Sequence, residues 1–118
     1  MKYLVADDSK LARLGLIKSL KAYVNEAEIF QATNGQEAVE LTLSQKPDIV
    51  FLDLTMPVMD GYEALPLMIE ANPKLKIIVV SADIQVQAKK KVMKLGAKLH
   101  IQKPISLDKM KKILDWLK

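Results

Sequence analysis

The sequence predicts an α/β domain built on a doubly wound, five-stranded parallel sheet in the order 2-1-3-4-5. Two observations lead there. Short apolar blocks alternate with helix-period segments through five repeats, the pattern of right-handed strand–helix crossovers that cover both faces of a sheet. Three of the blocks are apolar almost throughout, as strands buried on both faces must be, while the other two mix polar and apolar residues and belong at the edges.

The elements follow in order. Lys2 to Ala6 is a central strand, and Ile17, Leu20 and Val24 share one face of the helix after it. Glu28 to Ala32 is an edge strand. Asn34 caps the second helix, with Glu37 three residues on at capping-box spacing, and that helix ends before Pro47. Ile49 to Asp53 is the third strand. The third helix, Tyr62 to Ala71, contains Pro66, which lacks an amide proton and so predicts a late start or a kink. Ile77 to Ser81 is the last central strand, and Ala88, Val92 and Leu95 mark the helix beyond it. Lys98 to Gln102 is the second edge strand, and Met110, Ile113, Leu114 and Leu117 line the final helix. Trp116 lies near that stripe and is expected to be partly buried against it.

A chain of 118 residues and 13.2 kDa, half of it hydrophobic, fits one domain over residues 1–118 and is expected to act as a monomer. The absence of cysteine excludes disulfides, thiolate metal sites and thiol nucleophiles. The apolar run before Asp7 is too short for a signal peptide or a membrane span, which implies a cytoplasmic chain without membrane insertion. The formal net charge of +4 conceals an uneven distribution. Residues 1–73 carry 6 basic and 11 acidic side chains, net −5, and residues 74–118 carry 12 and 3, net +9. Of the 18 basic residues only Arg13 is arginine, which argues against reading of DNA bases.

In a sheet of this kind ligands bind beyond the carboxyl ends of the strands, where the strand order reverses. Those ends hold Asp7 and Asp8, Asp53, Ser81 and Lys103-Pro104, five polar groups from four distant segments. Three adjacent carboxylates repel one another unless a cation compensates, and an all-oxygen donor set favours Mg²⁺. The Lys103 ammonium and the Ser81 hydroxyl suit phosphoryl oxygens, and Asp53 is the natural nucleophile for an aspartyl-phosphate.

These residues, with the block Leu52-Asp53-Leu-Thr-Met-Pro-Val-Met-Asp-Gly61 and Ser81-Ala82, resemble the receiver domains of two-component response regulators, of the CheY-like single-domain type. The resemblance covers the whole chain and implies a flavodoxin-like (βα)5 fold, so the strand order follows from it as well as from strand polarity. It implies that Asp53 is the phosphoacceptor, served by a sensor histidine kinase, a phosphotransfer protein or acetyl phosphate. Asp8 and Asp53 match direct Mg²⁺ ligands, Asp7 a ligand through water, and Thr55 a ligand through its backbone carbonyl. Ser81 matches the hydroxyl that follows the phosphoryl oxygen, and Lys103 the lysine that pairs with it. Thr55 and Asp83 match positions that tune phosphoryl loss. The bond before Pro104 is expected to be cis, and Gly61 to supply permissive backbone angles in the loop that Pro57 begins. His100 stands where the family has a tyrosine or phenylalanine acting as a rotamer switch, although an edge-strand histidine by itself reads as a surface residue.

The implied function is a phosphorylation-dependent switch without external turnover, of which chemotaxis is a family-level example. Its downstream target would meet the lysine-rich fourth helix, fifth strand and fifth helix, although Lys89-Lys90-Lys91 alone reads as a solvated helix face. A phosphatase of the haloacid dehalogenase type is the rival from the enzyme class, but it wants a second aspartate where Thr55 stands. A flavodoxin-type electron carrier would need a glycine- and hydroxyl-rich loop in place of Asp7-Asp8-Ser9-Lys10.

Overall fold

The computed structural model describes residues 1–82 and 85–117. Its strands are β1 (Lys2–Ala6), β2 (Glu28–Ala32), β3 (Ile49–Leu52), β4 (Lys76–Ser81) and β5 (Leu99–Gln102). They alternate with α1 (Lys10–Lys21), α2 (Gly35–Gln45), α3 (Gly61–Ala71), α4 (Val86–Leu95) and α5 (Leu107–Leu117). All strand pairs are parallel and the order is β2-β1-β3-β4-β5, as the polarity of the strands predicts.

Side chains alternate across a strand, so each central strand feeds two cores. Leu4, Val50, Leu52, Ile77 and Val79 face α2, α3 and α4, where Ala38, Leu65, Met68 and Val92 meet them. Tyr3, Val5, Phe51, Ile78 and Val80 face α1 and α5, where Leu16, Leu20, Met110 and Ile113 meet them. Burial of apolar surface on both sides, at roughly 25 cal/mol per Å², holds the sheet between the two helix layers.

Side-chain caps fix where α1, α2 and α3 begin. The side chains of Ser9, Asn34 and Asp60 accept the amide protons of Ala12, Glu37 and Glu63 at 3.2, 2.8 and 2.9 Å, satisfying donors that the first turn leaves open. Glu37 accepts from the amide and hydroxyl of Thr33, one residue before the position that a capping box would use.

Four details differ from the sequence reading. α3 starts at Gly61, which overturns the late start but leaves Pro66 inside the helix, because the Asp60 cap and the buried Ala64, Leu65 and Met68 secure the turns on either side of the proline. Asp53 and Lys98 lie just outside β3 and β5. Trp116 is 56% exposed; at about 100° per residue it sits roughly a third of a turn from the stripe that Met110 and Ile113 bury. Gly61 does not have a positive φ. What requires glycine there is space, since a Cβ would collide with the backbone carbonyl of Asp53.

Candidate functional site

β1 and β3 are adjacent and parallel with Ala6 beside Leu52, so the residues that follow them emerge side by side at the carboxyl rim. The Asp53 amide donates to the Ala6 carbonyl at 2.9 Å and the Asp7 amide to the Ala32 carbonyl at 3.0 Å, extending the ladders past the strand ends. Both carboxylates are buried, each residue 6% exposed, whereas Asp8 is exposed. One ligand oxygen from each of Asp7, Asp8 and Asp53 lies within 4.8 Å of the others.

Lys103 closes the cluster from β5. Its Nζ lies 2.6 Å from Asp7 Oδ2 and 3.3 Å from Asp53 Oδ2, while its amide donates to the Ser81 carbonyl at 2.9 Å. The Lys103–Pro104 bond is cis. Ser81, at the end of β4, is 4% exposed. Asp53 Oδ1 accepts the Leu54 amide at 2.8 Å, which leaves Oδ2 as the oxygen facing the lysine.

The electrostatics are tense. Burial, then the neighbouring Asp7 carboxylate, raise the Asp53 pKa, and Lys103 offsets only part of that rise. Burial acts to lower the Lys103 pKa, but Asp7 and Asp53 outweigh it and the net shift is upward. The ammonium therefore stays charged between two carboxylates. Three hard oxygen donors around one point, with no nitrogen or sulfur ligand, fit a small divalent cation such as Mg²⁺.

Arg13 is a part of this site that sequence reasoning missed. It is 9% exposed, its Nη1 donates to the Asp7 carbonyl at 2.7 Å and its Nε to Gln31 Oε1 at 3.0 Å. It thereby ties the turn between the two aspartates to α1 and β2. Its being the only arginine among 18 basic residues was the available signal.

Val58 is a second. With φ of 66° it occupies the left-handed region, and the Met59 amide donates across it to the Pro57 carbonyl at 2.7 Å, a strained γ-turn five residues past Asp53. Thr55 is exposed in the same loop. Asp83 lies outside the described residues. His100 is half-buried on β5 rather than a surface residue, and its Nε2 is buried without a hydrogen bond among the described residues. Its strand neighbours Leu99 and Ile101 pack toward α1 and α5, so the imidazole is on the side that α4 covers.

A profile for the response regulator receiver domain matches residues 3–115. The chain belongs to the receiver domain family. This receiver is 38% identical over 115 residues to the chemotaxis protein CheY of Listeria monocytogenes, covering 98% of this chain and 96% of that protein. It is 39% identical over 103 residues to CheY of Thermotoga maritima, covering 87% and 85%. It also matches 27% of the length of a protein-glutamate methylesterase/protein-glutamine glutaminase of Rhodospirillum centenum, at 36% identity. Among solved structures, the CheX–CheY–BeF3–Mg²⁺ complex of Borrelia burgdorferi superposes with a TM-score of 0.92 at 29% identity, over all of this chain and 90% of the other. The receiver therefore has the flavodoxin-like fold and the two-component signalling role of its family, with chemotaxis proteins among its relatives.

Proposed function

We propose that this receiver is a switch whose Asp53 accepts a phosphoryl group from a histidine kinase, a phosphotransfer protein or a small donor such as acetyl phosphate. The observation that carries the reading is the Lys103 ammonium set between Asp7 and Asp53 at 2.6 and 3.3 Å, beside the exposed Asp8. Asp8, Asp53 and the Thr55 carbonyl would hold Mg²⁺, with Asp7 acting through water. Bound there, the ion would neutralise charge on the transferred group and align it with the nucleophile.

The chain's own residues do the rest. The Leu54 amide fixes Asp53 Oδ1 and so presents Oδ2 to the phosphorus. The new O–P bond forms as the donor's N–P or O–P bond breaks, and the electron pair of that bond leaves with the donor. Lys103 then exchanges a carboxylate partner for a phosphoryl oxygen, and Ser81 supplies a hydroxyl on the other side. A donor has room to approach along α1, where Leu11 is 84% exposed, Leu14 is 47% exposed and Gly15 opens a groove toward Pro104 and Ile105.

The output would be a population shift read by a target protein at α4, β5 and α5. Lys89, Lys90 and Lys91 are exposed there, with Val86 67% and Met93 40% exposed beside them. Lys91 also lies 4.3 Å from the centre of the Tyr62 ring, which links that face to α3. The receiver is expected to turn over no external substrate, because Thr55 stands where a phosphatase of the dehalogenase type needs its second aspartate.

Incubation with acetyl phosphate and Mg²⁺ should add one phosphoryl mass to the native chain and none to Asp53→Asn. An unmodified native chain, or equal gain in the variant, would contradict the assignment. Pull-downs with and without beryllofluoride then test whether a target prefers the activated state.

A further inference from the structure

At the opposite end of the sheet, between the end of α1 and the last turns of α5, the amino ends of β1, β3 and β4 border an open cavity of about 740 Å³. Tyr3 and Ile49 form its inner wall and Leu114 one side. Tyr3 is 3% exposed, yet its hydroxyl has no hydrogen-bond partner among the described residues. Burial, then the Asp48 carboxylate, raise its pKa, so the phenol keeps its proton and remains a donor. Asp48 Oδ2 accepts the Lys2 amide at 2.8 Å, and its second oxygen is left as an acceptor. On the rim stand Lys74 and Lys111, both exposed and neither in an ion pair among the described residues, and Tyr23, which is 42% exposed.

A hydroxyl that opens into a cavity from an otherwise buried side chain bonds water, and a ligand that reproduces the bond can displace that water without loss. A donor beside an acceptor matches a molecular edge that carries the complementary pair, as the edges of purine bases do. Two ammonium groups match phosphate charge, and an exposed tyrosine ring offers a stacking face. The volume falls within the usual range for small-molecule sites, roughly 300–1,000 Å³.

We propose that this cavity binds a purine nucleotide, the base edge meeting the Tyr3 hydroxyl and the Asp48 carboxylate and the phosphate meeting Lys74 and Lys111. The site is independent of phosphorylation at Asp53, from which the sheet separates it. The test is amide NMR titration of the full chain in EDTA with AMP and GMP, alongside the free nucleosides and inorganic phosphate. One of the nucleotides should give saturable shifts centred on Tyr3, Ile49 and Leu114, and bind more tightly than either of its halves. Tyr3→Phe, which keeps the ring, should weaken binding about fivefold, and the exposed pair Lys74→Ala/Lys111→Ala about tenfold or more. Asp53→Asn should bind as the native chain does. Absence of saturation with both nucleotides, inorganic phosphate binding as tightly as the nucleotides, unchanged affinity in Tyr3→Phe, or shifts centred on Asp8 and Asp53 would each overturn the proposal.

Discussion

The two ends of the central strands treat their polar groups in opposite ways. At the carboxyl ends, Asp7 and Asp53 are buried against each other and are held by the chain's own cations, Lys103 on the side chains and Arg13 on the backbone. At the amino ends, Tyr3 offers a neutral hydroxyl to an open cavity and packing alone fixes it. The same strands thus end, on one side, in buried charges under electrostatic tension and, on the other, in a cavity whose charges, Asp48, Lys74 and Lys111, surround a neutral phenol. A change of charge at the first end is felt by groups buried against one another, whereas at the second the lysines stand exposed on the rim and the inner wall responds to shape and hydrogen-bond pattern.

The contrast breaks most visibly if Lys103 is removed. Lys103→Ala leaves two buried carboxylates without their shared counter-charge and should cost about 2 kcal/mol, less than for a fully buried pair because the lysine is partly exposed. Urea denaturation measures this, and added Mg²⁺ should restore part of the loss in the variant. Unchanged stability would mean that the ammonium does not clamp the rim. Arg13→Ala should cost about 1.5 kcal/mol through its two lost hydrogen bonds and should weaken Mg²⁺ binding in calorimetric titration, with Arg13→Lys recovering only part of both.

The tension itself is tested by Asp53→Asn. The Asp53 pKa is raised in the folded chain, so the folded state binds this proton more tightly than the unfolded state does. Without a divalent cation, stability should fall as pH rises from the ordinary carboxylate range through the raised value, and remain lower above it. Asp53→Asn should lack that fall and be more stable at pH 7 by about 1 kcal/mol, or about 3–6 °C in melting midpoint. A parallel pH profile in the variant would place the tension elsewhere. The smallest effect is expected at Val58, where Val58→Asn should stabilise by about 0.5–1 kcal/mol, because asparagine tolerates a positive φ that a β-branched residue does not. Equal melting curves would show that the loop carries no strain.

The fold was legible because it rests on patterns that repeat. Five apolar blocks, two of them mixed, identify the sheet, its edges and both cores before any contact is known. The rim was legible because strand ends in such a sheet converge, which brings Asp7, Asp8, Asp53, Ser81 and Lys103 together from segments far apart in sequence. What could not be read depends on distances between side chains that no local pattern encodes. Arg13 resembles any helix residue until its guanidinium is found on the Asp7 carbonyl, and Trp116 lies near an apolar stripe in sequence without lying on it in space. Pro66 misled about where α3 starts, because a local rule about one hydrogen bond yields to the burial of three neighbouring side chains. Gly61 was singled out for the wrong reason, since a need for space and a need for a positive φ leave the same letter in the sequence.

That glycine is subject to two selections at once. α3 begins with the Gly61 amide donating to the Leu54 carbonyl at 2.9 Å, and the Asp53 carbonyl occupies the space where any side chain would start. A library randomised at position 61 should therefore return glycine even when clones are chosen for soluble expression alone and no signalling is asked of them. Invariance at this position would then report on how tightly the chain is folded around Asp53, and evolutionary drift there should be as slow in a receiver that has lost its kinase as in one that still answers to it.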